Sequence, residues 1–169
     1  MLGHRNAVQR LCEVPILVRA LRLPRGARVL EVGCGPGNAL QPLAARCEPA
    51  ALVGLDVDTE LLKAAREEID RAGVAATLVE GDVRSLPFSP ESFDVVVDFG
   101  TCYHIADSEL ALAEIERVLV RGGVFVHETP LAQLVAHPVR SFGRLLPWSA
   151  APRLRPERGA LLWSSRVKR

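Results

Sequence analysis

The sequence predicts an α/β protein with a doubly wound, mostly parallel sheet and helices on both faces. Three observations carry this. Short apolar runs alternate with amphipathic stretches along residues 28–127, which implies strands joined by crossover helices. A glycine loop, Gly33-Cys34-Gly35-Pro36-Gly37, separates the first strand from its helix. Acids stand at the ends of the next two strands, Asp56 and Asp82, where ligands of such sheets bind. At 169 residues the chain is sized for one domain, 1–169. Within it we read an N-terminal helical segment (1–24), a cofactor-binding core (25–128) and a shortened basic C-terminal region (129–169).

Each element has its own signal. Asn6 to Leu23 carries Val8, Leu11, Cys12, Leu17, Ala20 and Leu21 near a helical repeat, with Pro15 in the middle, giving two short helices or a kinked one. Pro24-Arg25-Gly26 is a turn into the first strand, where Val29, Leu30 and Val32 form the apolar run of a buried parallel strand. Leu40 to Arg46 reads as a helix. The glycine loop therefore delivers a strand end to a helix N-terminus, whose free N–H groups favour an anionic ligand group. A tight strand–helix turn would need the same glycines; a nucleotide-like cofactor is the alternative that the downstream acids favour.

Ala51 to Leu55 is the second strand, ending in Asp56-Val57-Asp58. Asp58 is placed to cap the helix Thr59 to Ala72, with Gly73 as its stop, which leaves Asp56 for ribose hydroxyls. Ala76 to Val79 is the third strand and Phe93 to Asp98 the fourth, a continuous apolar run suited to a sheet centre. Ser108 to Leu119 is a helix, Arg121-Gly122-Gly123 a turn and Val124 to His127 the fifth strand. Beyond it, Pro138 to Leu146 reads as a basic helix, Pro147 to Pro156 as loop and Ala160 to Val167 as a last strand.

Composition excludes several classes. With 49% hydrophobic and 24% charged residues the chain is an ordinary globular one, and no apolar run approaches the roughly 18 residues of a membrane span. The N-terminus, with His4, Arg5 and Arg10, lacks a signal-type apolar core, so a cytoplasmic protein is expected. Cys12, Cys34, Cys47 and Cys102 show no Cys-x-x-Cys spacing, which argues against a zinc site and a disulfide framework; no metal is expected. From His137 onward eight Lys or Arg face one acid, Glu157, so this stretch carries +7 and the rest −6. Such a stretch can meet nucleic acid or anionic lipid, or be a solvated surface.

Spacing selects the cofactor. A dinucleotide fingerprint requires Gly-x-Gly-x-x-Gly, but counting from Gly33 and Gly35 the third position falls on Asn38. The glycine comes one place early, at Gly37, and Glu31 precedes the loop. Together with Gly-Leu-Asp at 54–56, Gly-Asp-Val at 81–83, Leu-Pro-Phe at 86–88, Ser-Phe-Asp-Val-Val at 92–96 and Glu-Ile-Glu-Arg-Val-Leu at 114–119, this resembles the small-molecule class I S-adenosylmethionine-dependent methyltransferases. That group includes the ubiquinone/menaquinone-type enzymes and has a Rossmann-like fold.

The resemblance implies roles. Gly33, Cys34, Gly35 and Gly37 would line the methionine part of S-adenosyl-L-methionine, and Glu31 would orient the loop and reach the ammonium. Asp56 would hold the ribose, Val57 lie against adenine, Asp82 accept from the adenine amino group and Val83 donate its N–H to the ring. Asp98 and Phe99 would stand beside the reacting methyl. Tyr103 and His104 follow the fourth strand on the acceptor side, where His104 is either the base or a local hydrogen-bonding residue that shapes the pocket.

Family members close with a sixth strand and an antiparallel seventh beside the fifth. Only forty-one residues follow Glu128, so the sheet is expected to be truncated at the sixth-strand end, with Ala160 to Val167 taking the antiparallel place. An open wall there would suit a large acceptor, a homodimer that supplies the missing surface, or a cofactor-binding but inactive partner subunit with a basic docking tail. The Asp98-Phe99-Gly100-Thr101 sequence lacks the Asn/Asp-Pro-Pro-aromatic pattern of amino-group methylases, so DNA is not expected as substrate. A small-molecule acceptor is.

Overall fold

The computed structural model describes residues 14, 16–17, 23–136, 145–159 and 162–169. Most of the helical segment expected over Asn6 to Leu23 lies outside these residues, as do residues 138–144 of the expected basic helix. Leu145 and Leu146, which are described, are irregular.

Seven strands form one sheet in the order β3-β2-β1-β4-β5-β7-β6. They are β1 (Arg28–Val32), β2 (Ala51–Asp56), β3 (Thr77–Glu80), β4 (Phe93–Asp98), β5 (Leu119–Glu128), β6 (Leu154–Gly159) and β7 (Trp163–Lys168). The first five are mutually parallel, while β7 runs antiparallel to both β5 and β6. Alternate side chains of the central strands feed two cores. Val29, Val95, Val97 and Val126 pack on one face with α1 (Leu40–Cys47) and α2 (Thr59–Ala72). Leu30, Val32, Val96 and Phe125 pack on the other with α3 (Thr101–His104) and α4 (Ser108–Val118). The doubly wound, mostly parallel architecture expected from the sequence is therefore present.

Caps follow the expected chemistry at α2. Asp58 accepts from Glu60 N–H at 2.9 Å and Leu61 N–H at 3.2 Å, and Gly73 closes the helix in the left-handed region. The loop after β1 and the ends of β2, β3 and β4 all open on the carboxyl edge of the sheet, where the parallel strands converge.

Three expectations are corrected. The sheet is not truncated: a sixth strand is present at Leu154–Gly159, where the sequence suggests the end of a proline-punctuated loop. Its signal is weak because only Leu154 is buried. Pro156 is tolerated because the strand pairs only with β7 among the described residues and stands at the sheet edge. Since β6 and β5 are both antiparallel to β7, β6 runs with the parallel strands. The missing strand thus disappears as a reason to expect a homodimer or an open wall. A helix, α5 (Pro130–Ala136), also lies between β5 and β6.

The second correction concerns Arg121-Gly122-Gly123. This segment is not a turn between helix and strand but part of β5, which begins directly after α4. A register shift between Phe93 and Val95 absorbs it, and Gly122 takes φ +79° there. Third, the closing strand spans Trp163–Lys168, starting three residues later and ending one residue later than the expected Ala160 to Val167. Lys168 is buried opposite Leu154 and satisfied by the Leu119 carbonyl at 2.5 Å.

Candidate active site

The site is built from bare backbone. Gly33, Gly35 and Gly37 all have positive φ, at 65°, 53° and 80°, a region closed to most side chains. At Gly33 a methyl group would land on the Thr101 side chain, so the loop and the start of α3 touch through the missing Cβ. At Gly35 the added carbon would meet nothing within 4 Å, because that face looks into open space. The Cys34 thiol is pushed up by burial and by the Glu31 and Asp56 carboxyls, which leaves a small neutral side chain rather than a nucleophile.

Asp56 ties the loop to the second strand. Its Oδ2 accepts from Gly35 N–H at 2.7 Å and its Oδ1 from Asp58 N–H at 3.0 Å. Each oxygen carries one donor and keeps room for another, the arrangement a vicinal diol needs. Val57 beside it is 69% exposed, an apolar surface with no core to cover it. Asp82, at the end of β3, is engaged differently: the Arg84 guanidinium lies on both its oxygens, holding the carboxyl below its ordinary range.

One cleft, with a cavity volume of ≈ 180 Å³, is lined by Gly33, Leu55, Asp56, Val57, Gly81, Asp82, Val83, Arg84, Thr101 and Ile105; Cys34, Gly35 and Gly37 lie outside that lining. The structure thus brings together the glycine loop and both expected acids. The sequence assigns no cofactor-binding role to Arg84, Thr101 or Ile105.

Deeper in the sheet, Glu31 is 2% exposed and its Oε2 has no hydrogen-bond partner among the described residues. Burial, then Asp56 and Asp98, push its carboxyl well above the usual range. An orphaned acid beside the glycine loop fits a cationic group there. Asp98 is fully buried and spends its oxygens on the Thr101 N–H at 2.6 Å and the Cys102 N–H at 3.2 Å, so it fixes the start of α3. Phe99 packs edge-on against Trp163, with ring centroids 5.4 Å apart.

The two residues expected on the acceptor side separate. Tyr103 is buried, its hydroxyl donates to the Glu128 carbonyl at 3.3 Å, and burial pushes the phenol up. It lines a second cleft of ≈ 150 Å³, with Cys102, Ile105, Leu145 and Leu146, which shares Ile105 with the first. His104 is exposed on α3 and lines neither cleft. Among the described residues the buried imidazole is His127, whose Nδ1 bonds the Glu128 carbonyl at 2.8 Å.

A seven-stranded sheet in this order, with a glycine loop and strand-tip acids around one cleft, defines a Rossmann-like domain of the class I S-adenosylmethionine-dependent methyltransferases. The chain belongs to the methyltransferase domain family, which it matches over residues 30–127. It is 36% identical over 102 residues to the fatty-acid O-methyltransferase of Mycolicibacterium smegmatis, across 60% of this chain and 36% of that enzyme. The match therefore spans about a third of that relative's length. Among solved structures, the YcgJ protein of Bacillus subtilis superposes with a TM-score of 0.71 at 25% identity, over 85% of this chain and 68% of that one. Phosphoethanolamine N-methyltransferase 2 of Haemonchus contortus, in complex with S-adenosyl-L-methionine, gives 0.65 at 26% identity, over 70% and 28%.

Proposed function

We propose that the chain transfers a methyl group from S-adenosyl-L-methionine to an oxygen of a small, lipid-like acceptor. The observation that carries this is the meeting of bare backbone at the β1 tip with carboxylates at the β2 and β3 tips in one cleft. The name of the fatty-acid O-methyltransferase supports the acceptor class, and the complex of the Haemonchus relative supports the methyl donor.

Bound in the cleft, S-adenosylmethionine supplies a methyl already activated by its sulfonium charge. The chain's own residues bind and orient. Glu31 accepts from the methionine ammonium, and the backbone of Gly33, Cys34, Gly35 and Gly37 leaves room for the amino-acid moiety. Asp56 takes the ribose hydroxyls, Val57 covers one face of adenine, Asp82 faces its amino group and the Val83 N–H its ring. Asp98 holds the start of α3 at the reacting end. Holding an acceptor oxygen in line behind the methyl can account for about 7–11 kcal/mol of barrier in favourable cases.

Tyr103, neutral and buried, acts as wall and donor rather than base. The exposure of His104 favours its shaping the α3 loop over its taking a proton.

The test is transfer of label from methyl-labelled S-adenosylmethionine to a panel of fatty acids and hydroxylated lipids, read by mass spectrometry. A labelled methyl ester or ether is expected. Binding without transfer to any acceptor would favour the inactive partner subunit, for which the exposed β6 edge with Arg155 and Arg158 supplies a basic surface. In the same assay His104→Ala is expected to keep most of its turnover; loss of turnover with unchanged cofactor affinity would make His104 the base.

A further inference from the structure

Arg84 stands where an adenine amino group has to bind. Its Nε donates to Asp82 Oδ1 at 3.0 Å and Oδ2 at 3.1 Å, its Nη2 to Oδ2 at 2.6 Å, and its main-chain N–H to Oδ1 at 2.8 Å. A carboxylate offers about four lone-pair sites. Three N–H groups of Arg84, the Nε–H shared between the two oxygens, thus sit on Asp82 and the guanidinium covers Oδ2, whereas Asp56, in the same cleft, carries a single donor on each oxygen. The remaining guanidinium nitrogen, Nη1, lies 3.9 Å from Asp107 on the loop after α3, so Arg84 also spans from the β3 side of the cleft to the β4 side.

We infer that the Arg84 guanidinium is a displaceable occupant of the purine-amino subsite, which has to leave Asp82 before that carboxylate can accept from an exocyclic amine. The inference rests on the proposed adenosyl reading of the cleft and adds a residue that sets affinity and base selectivity within it. Displacement is inexpensive because both side chains are over a third exposed, at 38% and 36%, where ion pairs are weak and screened. It also leaves Asp82 oriented, since the Arg84 main-chain N–H stays on Oδ1 while Oδ2 is freed. Arg84 is a positioning residue; it is outside the reacting end marked by Asp98 and Phe99.

The probe is S-adenosylhomocysteine, titrated by calorimetry at low salt into the wild-type chain, Arg84→Ala and Arg84→Gln. Both variants are expected to bind about two- to fivefold tighter, the worth of a partly exposed ion pair. Added salt should narrow the difference, because it weakens only the wild-type pair. The inosine counterpart, which lacks the amino group, should show no gain. Equal or weaker binding of S-adenosylhomocysteine by both variants would overturn the inference while leaving the adenosyl reading intact; it would mean that the guanidinium holds Asp82 in its binding pose. Absence of binding by wild type and variants alike would overturn the adenosyl reading and this inference with it.

Discussion

Glu31 shows how a single side chain can be costly to the fold and useful to the site. Its carboxyl is buried with one oxygen unpartnered among the described residues, and burial holds it toward the neutral form. A ligand ammonium would restore the charge and complete the pair, a charge-assisted contact worth about 1.5–3 kcal/mol. Glu31→Gln should therefore weaken binding of S-adenosylmethionine by at least about tenfold. The unliganded fold, by contrast, should keep its denaturation midpoint nearly unchanged. Equal affinity in the variant would detach Glu31 from the ammonium. The positions of Asp56 and Asp58 are legible in the sequence because their separation by two residues gives one the strand tip and the other the helix cap. The occupation of Asp82 by Arg84 is not, because it depends on a side-chain torsion rather than on residue spacing.

At the scale of elements, the glycine loop and α3 are mutually dependent. Asp98 at the end of β4 caps the first N–H groups of α3, and this brings Thr101 against Gly33 with no space for a methyl. Gly33→Ala should thus destabilise the fold by about 2–4 kcal/mol, from the left-handed backbone and the collision together. Removing the obstructing side chain in Gly33→Ala/Thr101→Ala should recover part of that loss. Thermal unfolding of the single and double variants checks this; no recovery would place the cost in the backbone alone. The continuous apolar runs of β1 and β4 announce central strands, since both faces of each are covered. β6 escapes such reading. Five of its six residues are exposed, so its place comes from pairing with β7 and from Leu154 rather than from any alternation of its own.

Across the whole molecule, titration reports on how the second face is packed. His127 is buried between Phe125 and Trp148, with ring centroids 5.3 Å and 4.8 Å away, and burial lowers its pKa to about 4. The folded state therefore favours neutral imidazole. Stability from this group is fully present above the ordinary value of about 6.5 and is lost as pH falls toward 4, up to about 3 kcal/mol. The raised carboxyls Glu31 and Asp98 act with the opposite sign, since the folded state binds their protons first. The difference between wild type and His127→Phe isolates the histidine. Chemical denaturation at pH 7 and pH 4.5 should show a steeper acid loss in wild type than in the variant; parallel losses would contradict the buried neutral ring.

The central claim is that one cleft at the carboxyl edge of the sheet receives an adenosyl group through Asp56. Equilibrium dialysis of labelled S-adenosylmethionine against wild type and Asp56→Ala measures it directly. The account predicts saturable binding at one site per chain, weakened at least about tenfold in a folded Asp56→Ala variant. No retained label in wild type, or undiminished binding in the variant, would contradict it.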